Sequence, residues 1–144
     1  MHHVAIMKKS WRFVPQVLAR RKTIESRWYQ HRAGAWEKVH KGDTVFFKTT
    51  GEPVTAKAVV ASVLSFDELT PAEVKMILRK YGRADGIAAP EIPRYYRLFK
   101  DKRYCVLVFL KNAQAVKPFA INKKGFGAMS AWLTVKNIKE IKRP

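Results

Sequence analysis

A single cysteine among 144 residues excludes any disulfide within the chain. Cys105 lies in the apolar run from Tyr104 to Leu110, so it reads as a small buried thiol rather than a nucleophile or ligand. Metal-ligand patterns are missing as well: there are no paired cysteines and no His-Glu-x-x-His, and His2, His3, His31 and His40 do not share one element. A Walker sequence and a dinucleotide glycine fingerprint are absent, so no cofactor or metal is expected. No apolar stretch reaches the roughly 18 residues of a membrane span, and the first ten residues have no leader-like apolar region. The expectation is a cytoplasmic protein without a membrane partner.

Acidic residues are the scarcest class relative to their opposites. Eleven Asp and Glu face 29 Lys and Arg, leaving +18 on 144 residues, far beyond the roughly 2 to 8 charges that solubility asks of a small domain. Residues 1–50 carry +8, residues 51–110 carry +3 and residues 111–144 carry +7. Placed side by side, as closure of a barrel would place them, the two basic portions form one field that attracts phosphate backbones. RNA or another single-stranded nucleic acid is the expected partner; a basic protein-interaction domain is the alternative.

What the chain does contain points to one domain, residues 1–144, large enough for its own core. Val4-Ala5-Ile6 opens an apolar segment, and Val14, Val17 and Leu18 have helical spacing in a brief segment entered at Pro15. Thr23 to Tyr29 alternates as an extended segment, Gly42-Asp43 launches Thr44 to Phe47, and the turn Thr50-Gly-Glu-Pro53 leads into a long strand over Val54 to Leu64. Thr70, Pro71 and Glu73 spell a capping box, with Val74, Ile77, Leu78 and Tyr81 as one apolar stripe and Gly82 as the stop. Gly82 to Tyr96 reads as a loop or frayed helix. Tyr104 to Leu110 reads as a central strand, with weaker strands at Ala113 to Phe119 and Trp132 to Ile138 around a loop at Asn122 to Gly127. The class is mainly β, with about six strands and one or two helices.

The densest chemical constellation is Arg20 to Tyr29. Arg20, Arg21, Lys22 and Arg27 supply phosphate donors, Trp28 and Tyr29 supply stacking rings, and Glu25 stands three residues from Lys22. Trp11 and Trp36 are further stacking candidates, and Lys123 and Lys124 beside Gly125-Phe-Gly127 are further phosphate donors.

The run Ala19-Arg-Arg-Lys-Thr-Ile-Glu-Ser-Arg27, followed by Trp36-Glu-Lys-Val-His-Lys-Gly-Asp43 and a β-branched strand, resembles the ASCH domain, a family of the PUA-like group. The matched positions are Lys22, Glu25, Arg27, Gly42 and Asp43. The resemblance implies a small PUA-like β-barrel of five or six strands whose cleft takes up RNA or a modified or flipped base. Some small relatives are amidohydrolases that deacetylate N4-acetylcytidine with a lysine, a threonine soon after it and a distant glutamate. Lys22 falls on that lysine and Glu25 on the threonine's place, so Lys22 and Glu25 would be the catalytic pair if the chain were an enzyme. Other relatives resemble metal-dependent ribonucleases, yet no acidic cluster suited to Mg²⁺ stands out in this sequence. An RNA-binding module is the leading reading, with a hydrolase of a modified nucleoside or RNA second.

Overall fold

The computed structural model describes all residues, 1–144, and its alternating strand patterns resolve into one sheet. The strands are β1 (His2–Met7), β2 (Ile24–Tyr29), β3 (Thr44–Thr49), β4 (Val54–Phe66), β5 (Tyr104–Phe119) and β6 (Trp132–Val135). Their order is β2-β5-β4-β3-β1-β6. β1 and β3 run parallel and every other neighbouring pair is antiparallel. Pairing of β1 with β6 sets a strand near the start of the sequence beside one near its end.

Barrel closure by hydrogen bonds does not occur. The sheet is a curled half-barrel whose two edges, β2 and β6, are not paired to each other. Its curl comes from the long β4 and β5, whose pairing register shifts at three places, since each bulge increases local twist and bends the strand. The expected strand at Ala113 to Phe119 is the far end of β5, continuous with Tyr104 to Leu110 and paired to the first half of β4. Expected to run to Ile138, β6 stops at Val135, because a 3₁₀ turn over Ile138–Glu140, capped by the Asn137 side chain, takes over.

Three α-helices are present, α1 (Phe13–Leu18), α2 (Pro71–Tyr81) and α3 (Ile92–Phe99), where the sequence suggested one or two. α2 is as its signals specify. Glu73 N–H donates to Thr70 Oγ1 at 3.3 Å, Thr70 N–H donates back to Glu73 Oε1 at 3.1 Å, and Val74, Ile77 and Leu78 are buried. α3 occupies the end of the segment read as a loop. Its stripe of Ile92, Tyr95, Tyr96 and Phe99 has helical spacing, and Pro93 is a start signal, but the preceding Gly86 and Pro90 mask both.

Two cores result. The larger lies inside the curl, where Phe47, Ala56, Val60, Leu107 and Trp28 meet Ile77 and Leu78 of α2. A smaller one lies behind β1 and gathers Val4, Ile6, Phe46, Leu133 and Ile141. β1 is therefore buried on both faces, as parallel-paired inner strands commonly are. Cys105 is fully buried in the larger core, where burial pushes its thiol far above the ordinary range.

The fully buried His3 ties this inner strand to its neighbours. Its Nε2 contacts Asp43 Oδ2 at 2.8 Å, and Trp132 Nε1 donates to its Nδ1 at 3.3 Å. The indole donor requires a lone pair on Nδ1, so the proton belongs on Nε2, facing Asp43. Burial, opposed by Asp43, lowers the His3 pKa below the ordinary value of 6.5. Burial works against the Asp43 carboxylate too, but His3 and the His40 amide hold it below the ordinary range. The lowered His3 pKa means the unfolded chain takes up a proton below pH 6.5 that the folded chain resists, so stability falls on acidification. Urea unfolding should show this loss beginning near pH 6.5 and a further loss below about pH 4 as Asp43 protonates. His3→Gln should flatten the first limb and keep the second; an unchanged first limb would refute the assignment.

Candidate functional site: a sealed ion network under an aromatic pocket

Among the largest fully buried side chains of this basic protein is a lysine: Lys22 is 1% exposed, with Glu25 at 3% and Asp85 at 4%. Local structure explains the position. After α1 the chain turns back, Arg21 and Lys22 N–H both donating to the Gln16 carbonyl, and Thr23 and Ile24 N–H then donate to the Ala84 carbonyl. The Ala84–Asp85 segment thereby covers the outer edge of β2. Asp85 continues the cover, its Oδ1 accepting Ser26 N–H at 3.2 Å and its Oδ2 accepting the Ser26 hydroxyl. Gly86, at φ +85°, makes the approach feasible, because a Cβ there would sit 2.8 Å from Gln16 Oε1 and 3.4 Å from Lys22 Cδ.

Lys22 Nζ donates to the Asp85 carbonyl at 2.6 Å and to Asp85 Oδ1 at 2.5 Å, and it pairs with Glu25 Oε1 at 3.3 Å. Its three donors are spent. Burial opposes its charge, but the Asp85 and Glu25 carboxylates outweigh burial and hold the pKa above the ordinary lysine value. Lys22 is thus a fixed ammonium, not a free amine. Burial pushes the Asp85 carboxyl up, with Lys22 pulling against it. Glu25 Oε2 in turn accepts from Arg27 Nη2 at 3.3 Å, completing an alternating row of Asp85, Lys22, Glu25 and Arg27 whose charges cancel.

Arg27 reaches across the open side of the half-barrel. Nη1 donates to the Ala131 carbonyl at 3.1 Å and Nη2 to the Ile6 carbonyl at 3.3 Å, joining edge strand β2 to β1 and to the residue before β6. Its guanidinium carbon lies 5.3 Å from the Trp132 ring centre, and its buried Nε has no protein partner.

Above this row is a cavity of about 190 Å³. Glu25, Ser26, Arg27 and Asp85 form its polar floor, and Trp11, Phe13, Trp28, Tyr95 and Phe99 its aromatic walls, with Lys8 at the rim. Trp28 stacks on Phe99, with ring centres 4.9 Å apart and planes 6° from parallel, and its Nε1 donates to Ser26 Oγ at 3.0 Å. Ser26 Oγ therefore has both a donor and an acceptor partner within the protein.

Of the residues singled out in the sequence, Lys22, Glu25, Arg27, Trp28 and Trp11 come together here, although Lys22 lies beneath the floor instead of lining the cavity. The others lie elsewhere. Tyr29 Oη accepts the Ala35 N–H, and Trp36 packs edge-on against Tyr104. Arg20 is exposed and reaches the Ala113 carbonyl, while Arg21 borders a different hollow beside Arg83. Lys123 Nζ folds its own loop by donating to the Ala128 and Ser130 carbonyls, and Lys124 is exposed. Sequence reading missed Asp85, Ser26, Phe13, Tyr95 and Phe99. Asp85, the only acid between Glu73 and Glu91, carries no local sign of its partner, and the rings of Tyr95 and Phe99 needed α3 to be recognised first.

No protein-family model and no curated protein matches the chain. Solved structures do. One point mutant of an ASCH protein from Zymomonas mobilis is similar at 14% identity, with a TM-score of 0.63 over 96% of this chain and 93% of that one. A second point mutant of it is similar at 14% identity, with a TM-score of 0.66 over 96% and 91%. The hypothetical protein PH0355 is similar at 18% identity, with a TM-score of 0.51 over 81% and 100%. The chain has the ASCH fold. The curled sheet and three helices of this ASCH fold carry the ion network and the pocket at the seam between the β2 edge and β1.

Removing the cation from the network should be costly. Lys22→Met leaves two buried carboxylates facing each other and should lower stability by about 3–5 kcal/mol in urea unfolding. Adding Asp85→Asn should recover part of that loss by neutralising one of them. A Lys22→Met chain as stable as the parent would contradict a structural role for the ammonium.

Proposed function

We propose that this ASCH fold is an RNA-binding module that takes one unpaired base, modified or flipped, into the pocket at the seam. The observation that carries the reading is the union of aromatic walls with a charged, hydrogen-bonding floor in one cavity of a chain bearing +18. At about 190 Å³ the cavity is smaller than the roughly 300–1,000 Å³ of sites for drug-sized ligands, a size suited to a single planar ring and not to a whole nucleotide. Aromatic walls suit stacking, worth about 1–3 kcal/mol per base, which offsets the few kcal/mol of extruding a base from its stack. The floor suits reading of the base edge, with carboxylate acceptors on Glu25 and Asp85 and a guanidinium on Arg27. Neutrality of the buried row assigns the attraction for phosphate to the surface cations, so affinity and selectivity come from different residues.

A specific contact favours a second reading, hydrolysis of an acyl group from a modified base such as N4-acetylcytidine. The Ser26 hydroxyl donates to Asp85 at the cavity floor, and a hydroxyl beside a base is the arrangement of an activated nucleophile. Ser26 Oγ would bond to the acyl carbon and pass its proton to Asp85, the C–N bond would break with that proton going to the leaving amine, and water would release the acyl group. Lys22 would act only by holding Asp85.

Binding of a single-stranded RNA should be tighter than about 10 µM at low salt and should weaken steeply between about 50 and 300 mM salt. Trp11→Ala should cost about 1–3 kcal/mol in affinity without altering the salt slope, because it removes stacking and no phosphate contact. Equal affinity across that salt range, or an unaffected Trp11→Ala chain, would overturn the binding reading. Mass spectrometry of an N4-acetylcytidine reaction separates the two readings: turnover lost in Ser26→Ala supports hydrolysis, and a bound but intact nucleoside supports recognition alone.

A further inference from the structure

α2 and α3 pack side by side and leave between them a groove of about 380 Å³, separate from the pocket at the seam. Lys75 and Arg79 of α2 border it, with Arg97, Ile92, Pro93 and Tyr96 from the other side. Lys75 and Arg79 stand four residues apart on one helix face, an arrangement that costs a helix a few tenths of a kcal/mol instead of stabilising it. Nearby acids do not relieve it. Glu73 caps α2, Asp85 is buried with Lys22, and Glu91 pairs with Arg94 at 2.9 Å, the only ion pair on these helices. Lys75 and Arg79 also border an adjoining hollow with Lys80 and the exposed Met76, so the cationic strip runs on along α2.

The groove has a ring as well as charge. Tyr96 is half-buried, and the Lys75 ammonium lies 5.7 Å from its ring centre. Its neighbour in sequence, Tyr95, lines the pocket at the seam, as does Phe99, whereas Tyr96 and Arg97 line the groove. Successive helix residues point about 100° apart, so α3 is the shared wall between the two depressions.

We infer that the α2–α3 groove is a second nucleotide subsite for single-stranded RNA, in which Tyr96 stacks one base and Lys75, Arg79 and Arg97 hold the flanking phosphates. The inference rests on the RNA reading given above and extends it: a strand with one base in the pocket continues over α3 and places a neighbouring base on Tyr96. An accessible ring flanked by unpaired cations is the composition of a single-strand platform. Acidic protein surfaces and duplexes engage the cations but present no free base to the ring.

The test uses the full chain and a fluorescein-labelled, unstructured RNA of about a dozen nucleotides, with anisotropy read over a salt series. Lys75→Glu/Arg79→Glu should weaken binding tenfold or more and reduce the log–log salt slope by about 1.4, the equivalent of two single-strand phosphates. Tyr96→Leu should weaken it about fivefold or more at unchanged slope, and Tyr96→Phe should bind as the parent does. Thermal unfolding establishes that each variant is folded; any that is not is replaced by Arg97→Glu, for which a slope reduced by about 0.7 is expected. Parental RNA binding with unchanged affinity and slope in the groove variants overturns the subsite and leaves the pocket reading standing. A lowered slope with Tyr96→Leu unaffected, or equal competition by poly-glutamate, overturns it in favour of a bare anion-attracting or acidic-protein surface. No binding of RNA by the parent overturns both readings together.

Discussion

The contact between the Lys22 ammonium and Asp85 organises the face of the molecule that carries the pocket. It joins the start of β2 to a segment some sixty residues later, and through Asp85 it satisfies edge groups of β2 that no strand covers. An ion pair this deep is not an efficient source of stability, since apolar replacements of similar shape often do as well. What it supplies is position. With Asp85 fixed from below by Lys22 and from the side by Ser26, the floor of the pocket is set before any ligand arrives, and desolvation has already been met by partners within the protein.

Electrostatics divides the chain into two regimes. The interior row of Asp85, Lys22, Glu25 and Arg27 is balanced and screened from water, so it contributes little to the long-range field. The exposed Lys and Arg residues, with few acids among them, generate that field. Counting charges along the sequence merges these regimes. Lys22 scores the same as Lys124 in such a count, yet one is enclosed by carboxylates and the other faces solvent.

How much of this was legible in the sequence varied with the range of the interaction. The α2 cap was readable because its partners, Thr70 and Glu73, are three residues apart and each favours that geometry on its own. Thr23 to Tyr29 was readable as a strand from its alternation, and Lys22, Glu25 and Arg27 from their crowding, a cluster the fold keeps. Asp85 was not readable as their partner, because the pairing depends on how Ala84 docks on β2, a contact with no local signature. α3 was hidden by glycine and prolines that punctuate its approach, and with it went the aromatic wall of Tyr95 and Phe99. Curvature was also beyond the pattern: alternation identifies β4 and β5 as strands, but whether their sheet closes depends on bulges that alternation does not encode.

The open seam has a mechanical consequence. Around most of the curled sheet, neighbouring strands are held by repeated backbone bonds, a stiff fabric in which no single link matters much. Between β2 and β1 there is no such ladder: Arg27 supplies the hydrogen bonds, and Met7 and Trp28 share the larger core. The cavity straddles that line, with Glu25 to Trp28 on one bank and Ile6, Met7 and Ala131 on the other. The width of the slot is therefore set by side-chain packing and one arginine tether, with no ladder of backbone bonds across it.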